Sequence, residues 1–194
     1  QISCAFDIPA DHQVDPRKLV ACLLAGLANH SPGDGSWVSG ADDGFAVPSP
    51  ARGVLRDGGR VTGVELESGV VVLAAETVVA NGLGASQLSG LPDGLNLPVR
   101  PVYGDILRLR VPENLRPLVT STVRGMVRGV PVYIVPRDDG TVVIGATQRE
   151  DGLSASSNAV SAGGVYQLVR DAQALVPAVA DLELLEATAR ARPG

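Results

Sequence analysis

Apolar and polar positions along the chain alternate with two different periods, and the switch between them divides it into elements. Asp15-Pro16 followed by Arg17–His30 predicts a helix: Asp15 caps it, Pro16 takes the first helical position, and Leu19, Val20, Leu23, Leu24 and Leu27 share one face. Pro32-Gly33 should end it. From Trp37 to Val79 the pattern turns to short strands. Asp57-Gly58-Gly59 joins Ala51–Arg56 to Arg60–Glu67, and Ser68-Gly69 leads on to Val70–Ala74. Thr77–Ala80 is a β-branched run that stops at Asn81-Gly82, the pattern of a buried parallel strand whose end meets a ligand. Gly82–Pro98 is rich in Gly, Ser and Pro and reads as a domain boundary.

The second half begins with a strand over Val99–Val111. In Val130–Thr147 two β-branched runs flank Asp138-Asp139-Gly140, which predicts a hairpin. A Ser/Gly-rich loop over Asp151–Gly164 precedes a second amphipathic helix, Gly164–Val176, stopped by Pro177. Leu182–Arg190 has helical composition but a position that suits a strand leading to a site, and both readings stay open.

Composition narrows the function. The 194 residues are 45% hydrophobic and 19% charged with a net charge of −5, a globular make-up without the basic stripe that nucleic-acid binding needs. No apolar run approaches the ~18 residues of a membrane span, and no signal-peptide pattern is present, so a cytoplasmic protein is expected. Cys4 and Cys22 lack metal-type spacing and read as free, buried thiols. His12 and His30 border turns or a helix end and read as solvated or capping residues, and no metal site is expected. Asn29-His30-Ser31 matches the glycosylation triplet, which matters only in a secreted protein. The chain opens on Gln1 and stops at Arg192-Pro193-Gly194, so it is expected to be a fragment of a longer protein.

Familiar catalytic signatures are missing from the sequence. Gly33-Asp-Gly35 and Gly82-Leu-Gly84 each begin a dinucleotide-type glycine pattern and fail at its third glycine, which makes them loops. There is no P-loop, nucleophile elbow or paired-carboxylate motif. What remains is Tyr133, Arg192 and the end of the Val78–Gly82 run. Tyr133 is a phenol among aliphatics, which either solves a packing problem or aims a donor at a ligand. Arg192 precedes Pro193-Gly194; held beside a turn, its guanidinium fork could take a carboxylate in a bidentate pair, whereas an isolated Arg would be plain surface. Arg100, Arg108, Arg110 and Arg137 read as solvated charges.

Taken in order, Val14-Asp-Pro-Arg17, Leu55–Gly63, Pro98-Val-Arg-Pro-Val-Tyr-Gly104, Tyr133-Ile-Val-Pro-Arg137, Val143-Ile-Gly-Ala-Thr147 and Arg192-Pro-Gly194 resemble the D-amino-acid oxidase superfamily of FAD-dependent oxidoreductases. Within it they look most like the glycine oxidases of thiamine biosynthesis. The resemblance implies an α/β (α+β) fold in which part of a Rossmann-like FAD-binding domain is interleaved with an antiparallel-sheet substrate domain. Residues 1–13 would edge the substrate domain, 14–97 belong to the FAD domain, 98–188 form the substrate domain and 189–194 return to the FAD domain. It further implies substrate-binding roles for Tyr133, Gln148 and Arg192, and FAD contacts at Ala51, Ala80, Asn81 and Gly82. No residue of this chain is implied as a catalytic acid or base, because the redox chemistry is the cofactor's. The partners implied are a small amino acid or amine and O₂, with room for a homo-oligomer. Against the family pattern, the N-terminal glycine-rich unit is absent, Tyr103 and Asp105 replace a basic residue and Gln, and Gln148 stands where a Met can occur. The full-length parent would oxidise glycine or a related substrate to an imine and peroxide, and the isolated fragment is expected to be inactive. The alternatives are another amine oxidase or dehydrogenase of the same superfamily, such as a sarcosine oxidase-like enzyme, a non-catalytic module that keeps the fold, or an inert fragment.

Overall fold

A computed structural model describes residues 4–28, 47–95, 97–150 and 159–194. The predicted turns at Pro32-Gly33, the strand pattern at 37–46, His30 and most of the 151–164 loop lie outside them. The chain forms two compact units, Val14–Val99 and a second made of Gln1–Gln13 with Arg100–Gly194.

In the first unit α1 spans Pro16–Ala28. Asp15 Oδ1 accepts from the backbone N–H of Arg17 (2.9 Å) and Lys18 (3.3 Å), which satisfies two donors that helix geometry leaves open. Its apolar face is not buried: Leu19, Val20, Leu23 and Leu24 are each 44–58% exposed. Cys4 and Cys22 are free but exposed, which corrects the expectation of buried thiols. β1 (Ala51–Asp57), β2 (Arg60–Leu66) and β3 (Val71–Leu73) form an antiparallel sheet in that order. The Gly58-Gly59 turn between β1 and β2 has both residues at positive φ, 53° and 86°, the twist that a two-residue hairpin requires.

Thr77–Ala80 is not a strand. The segment is irregular, Val78 is 87% exposed, and a 3-10 turn follows at Gly82–Gln87. β-branched composition favours a strand only where a neighbouring edge supplies the ladder, and among the described residues none pairs with it.

The second unit is built on a five-stranded antiparallel sheet in the order β5-β6-β7-β4-β8. Its strands are β4 (Pro101–Arg110), β5 (Val123–Val127), β6 (Val130–Pro136), β7 (Thr141–Gly145) and β8 (Glu183–Pro193). The β6–β7 turn is tied by Asp139, whose Oδ1 accepts from the Thr141 hydroxyl (2.6 Å) and N–H (3.1 Å). Helix α2 (Ala162–Leu175) is capped by Ser161, whose Oγ accepts from Gly164 N–H at 3.0 Å. Its Leu168 and Ala172 close a core with Leu107, Leu109, Val132, Ile134, Val142 and Ile144. The strand side of the Leu182–Arg190 ambiguity is the one realised. β8 runs on through the stretch 189–194 assigned above to a return into the FAD domain: Ala189–Pro193 stay in this sheet and pair with Asp105–Pro101. The pairing outweighs the helical composition of Leu184–Ala189, because every residue of it but Leu185, which falls at a bulge, gains a ladder partner on β4.

Candidate active site

Side chains alternate across a strand, so the burial of Leu107, Leu109, Val132, Ile134, Val142 and Ile144 beneath α2 sends their neighbours to the opposite face. Directly paired residues share a face. Arg124 pairs with Tyr133, Tyr133 with Gly145, and Gly145 with Ile106; two residues along β4, Gly104 pairs with Arg190 and Val102 with Arg192. Tyr133 and Arg192, some sixty residues apart in sequence, therefore stand on one face of one sheet.

Two glycines make this arrangement. A Cβ on Gly145 would collide with the ring and hydroxyl of Tyr133, so the phenol lies over that position. A Cβ on Gly104 would lie 2.7 Å from Nη1 of Arg192, 3.4 Å from the Thr147 carbonyl oxygen and 3.6 Å from the Ala146 Cβ. The two side chains occupy the space that glycine leaves on β7 and β4. The signal was legible at Gly145, since a glycine inside a β-branched run marks a close approach and Gly145 interrupts Val142-Val143-Ile144; Gly104, between Tyr103 and Asp105, carries a weaker one.

Arg192 is not held by a turn as the Pro-Gly pattern suggested. Pro193 pairs with Pro101, and Gly194 exchanges two backbone hydrogen bonds with Arg100, at 3.0 and 3.2 Å. Its place is set by a strand ladder. Arg192 is exposed and makes no ion pair among the described residues, whereas Arg100, Arg108 and Arg110 are matched to Glu150, Asp139 and Glu183 at 2.7–3.1 Å. Burial pushes the Tyr133 phenol above its ordinary value, and the guanidiniums of Arg192, Arg124 and Arg137 oppose that shift. The phenol thus stays a protonated donor in a field of positive charge.

Gln148 is exposed and lies on the rim of a cavity of about 570 Å³ beside the start of α2, with Gly129, Ala146, Ser161 and Gln167. Tyr133 and Arg192 do not line that cavity. The segment carrying Gln148 is fixed against β4. Tyr103 and Arg149 exchange backbone hydrogen bonds (2.8 and 2.9 Å), Thr147 Oγ1 accepts from Asp105 N–H (2.8 Å), and Arg149 Nη2 donates to the fully buried Asp105 carboxylate (2.7 Å). The Asp at 105 is thus matched by an Arg two residues beyond Thr147.

The residues expected to meet FAD lie in the other unit. Ala51 opens β1 and is exposed, as are Ala80 and Asn81. Gly82 has φ +58° with nothing within 4 Å of where a Cβ would stand, so its backbone is open to a ligand. The chain then returns to β1, with Val54 N–H donating to the Ser89 carbonyl at 2.9 Å. These features fit backbone contacts to a flat or extended cofactor. They do not form a pyrophosphate cradle, which needs a glycine-rich turn that this sequence lacks. Among the described residues no helix is long and apolar enough to cross a membrane.

The family model for FAD-dependent oxidoreductases of the DAO type matches residues 1–193. The chain is 35% identical over 189 residues to the glycine oxidase of Geobacillus kaustophilus, covering 97% of this chain and 44% of that protein. It is 32% identical over 178 residues to the bifunctional protein ThiO/ThiG of Trichormus variabilis, covering 92% and 24% respectively. The crystal structure of the Geobacillus glycine oxidase superposes with a TM-score of 0.60 at 30% identity, over 75% of this chain and 36% of that one. The chain thus spans less than half the length of these relatives. A mixed α/β fold with antiparallel sheets and a family match over nearly every residue lead to one statement: the chain belongs to the DAO family of FAD-dependent oxidoreductases.

Proposed function

We propose that the protein to which this chain belongs carries out FAD-dependent oxidative deamination of glycine or a related small amino acid or amine, in thiamine biosynthesis. One observation carries the reading: Arg192 lacks an ion pair among the described residues and shares a sheet face with Tyr133 over Gly104 and Gly145. Arg192 takes the substrate carboxylate in a bidentate pair, and the Tyr133 hydroxyl donates a further hydrogen bond to it. The two contacts orient the substrate α-carbon; Gln148, which lines a cavity that neither Tyr133 nor Arg192 lines, takes no part in holding the carboxylate. FAD, when bound, would supply the two-electron acceptor for oxidising the substrate to its imine, with O₂ as the final acceptor giving H₂O₂. Hydrolysis of the imine then releases ammonia. Ala51 and Ala80–Gly82 would give the cofactor exposed backbone, with Gly82 allowing the closest approach. The names of the glycine oxidase and ThiO/ThiG relatives support the choice of glycine and of the pathway.

The test is made on the full-length protein. Arg192→Lys should raise KM for amino acids, because an ammonium cannot reproduce two parallel N–H···O bonds. Arg192→Ala should cost about 1.5–3 kcal/mol of substrate binding, the worth of hydrogen bonds to a charged group. An amine without a carboxylate should be spared. If Arg192→Ala lowers thermal stability while KM for glycine keeps its wild-type value, Arg192 is structural and the reading fails.

A further inference from the structure

Three guanidiniums act on the Tyr133 phenol, and they are not equivalent. Arg192 is left without an ion pair among the described residues. Arg137 Nη1 donates to Gln13 Oε1 at 3.1 Å. Arg124 is the direct cross-strand partner of Tyr133 on the edge strand β5, so the two side chains stand side by side on the same face. Its guanidinium is taken by Asp11: Nε donates to Oδ2 at 2.8 Å and Nη2 to Oδ1 at 3.3 Å, a two-pronged pair. The geometry is that of an arginine binding a ligand carboxylate, with the carboxylate supplied by the chain itself. Asp11 belongs to the segment before α1, more than a hundred residues from Arg124 in sequence, and that segment joins the unit of the large sheet.

We infer that Asp11 is a specificity-determining residue: it occupies the guanidinium of Arg124 beside Tyr133, denies a second ligand carboxylate that receptor, and so favours monocarboxylates at the site. Removing the Asp11 charge would uncover a second carboxylate subsite at Arg124, and the site would then accept dicarboxylates. The inference rests on the assignment of Arg192 as carboxylate receptor. Arg124 remains protonated in either case, since its pair with Asp11 only strengthens a charge that arginine holds throughout the working pH range. Both side chains keep partial exposure, 58% for Arg124 and 29% for Asp11, so a ligand can reach the guanidinium once it is released.

The experiment uses the full-length flavoprotein and equilibrium binding by calorimetry, with acetate as the monocarboxylate and malonate, succinate and glutarate as dicarboxylates of increasing span. The wild type should bind acetate, and no dicarboxylate better than acetate. Asp11→Asn and, independently, Asp11→Ser should tighten the best-fitting dicarboxylate about tenfold relative to acetate, a charge-assisted pair discounted for solvent exposure. Adding Arg124→Gln to either variant should abolish the gain. No gain in either single variant overturns the inference, and so does a gain that survives Arg124→Gln. Should one variant fail to fold, the other decides. A wild type that binds neither acetate nor glycine refutes the carboxylate site itself and this inference with it. Acetate binding lost in Arg192→Ala, together with no dicarboxylate gain in the Asp11 variants, leaves that site standing and overturns only the role of Asp11.

Discussion

Gly104→Ala should separate function from stability. The added Cβ would stand 2.7 Å from Nη1 of Arg192, and its other neighbours, at 3.4 and 3.6 Å, already lie at ordinary contact distance. To relieve the one short contact, the guanidinium must recede by about 0.7 Å. It is the far end of a flexible side chain, so the fold gives way cheaply. The backbone at Gly104 lies outside the left-handed region and accepts alanine. Alanine also restricts the unfolded chain, which favours the folded state by roughly 0.4–1 kcal/mol. The net stability change is therefore near zero, and the melting temperature of the full-length protein should move by less than about 2–4 °C. The site responds differently. A misplacement of about 1 Å in a positioning group can cost on the order of a hundredfold; a shift of two-thirds of that should raise the Kd for acetate and the KM for glycine by about tenfold or more. Differential scanning calorimetry and titration of the same preparation give both numbers. A variant that melts many degrees lower while binding acetate as tightly as the wild type would refute the placement of Arg192 over Gly104.

Gly145→Ala should behave in the opposite sense, because its Cβ meets a stiff aromatic ring and overpacking costs typically ~1–3 kcal/mol; thermal melting should show the loss, and an unaltered melting temperature would count against the ring lying over Gly145. Tyr133→Phe should raise KM for glycine by about tenfold to a hundredfold with little change in kcat, the worth of one hydrogen bond to a charged group; steady-state kinetics decide, and an unchanged KM would return Tyr133 to packing alone. The 194-residue chain made alone should not retain FAD and should self-associate, since it lacks a glycine-rich pyrophosphate turn and leaves the apolar face of α1 exposed; a yellow, monomeric preparation by absorbance and sizing would contradict this.

Local chemistry made some elements readable from sequence. The Asp15-Pro16 helix start, the Gly58-Gly59 hairpin and the Asp138-Asp139-Gly140 turn each depend on a few adjacent residues, and each forms where the residues say. Thr77–Ala80 fails because a strand exists only with a neighbour, which composition cannot supply. The face of α1 fails in the same way: its periodicity is right, but burial needs a partner surface. At the site, Tyr133 and Arg192 stood out as single residues, yet nothing local showed that they share one face of one sheet. That fact lives in the register of β6, β7, β4 and β8, and its trace in the sequence is the pair of glycines. Asp11 and Arg124 left no trace, because an ion pair across more than a hundred residues has no sequence spacing.

The strand order has a consequence for the order of events during folding. Tyr133 and Gly145 belong to a hairpin and pair across about a dozen residues, whereas Pro101 and Pro193 pair across roughly 90, a difference in closure entropy of about 1.8 kcal/mol against the longer loop. The β5–β6–β7 meander can therefore form early and bring the phenol into place, while the β4–β8 ladder that carries Arg192 closes late. On a growing chain the arginine is also the last of these residues to leave the ribosome. A carboxylate ligand would then find no receptor on any partly assembled state. Its binding energy would act only on the finished sheet, slowing unfolding without hastening the steps that lead to it.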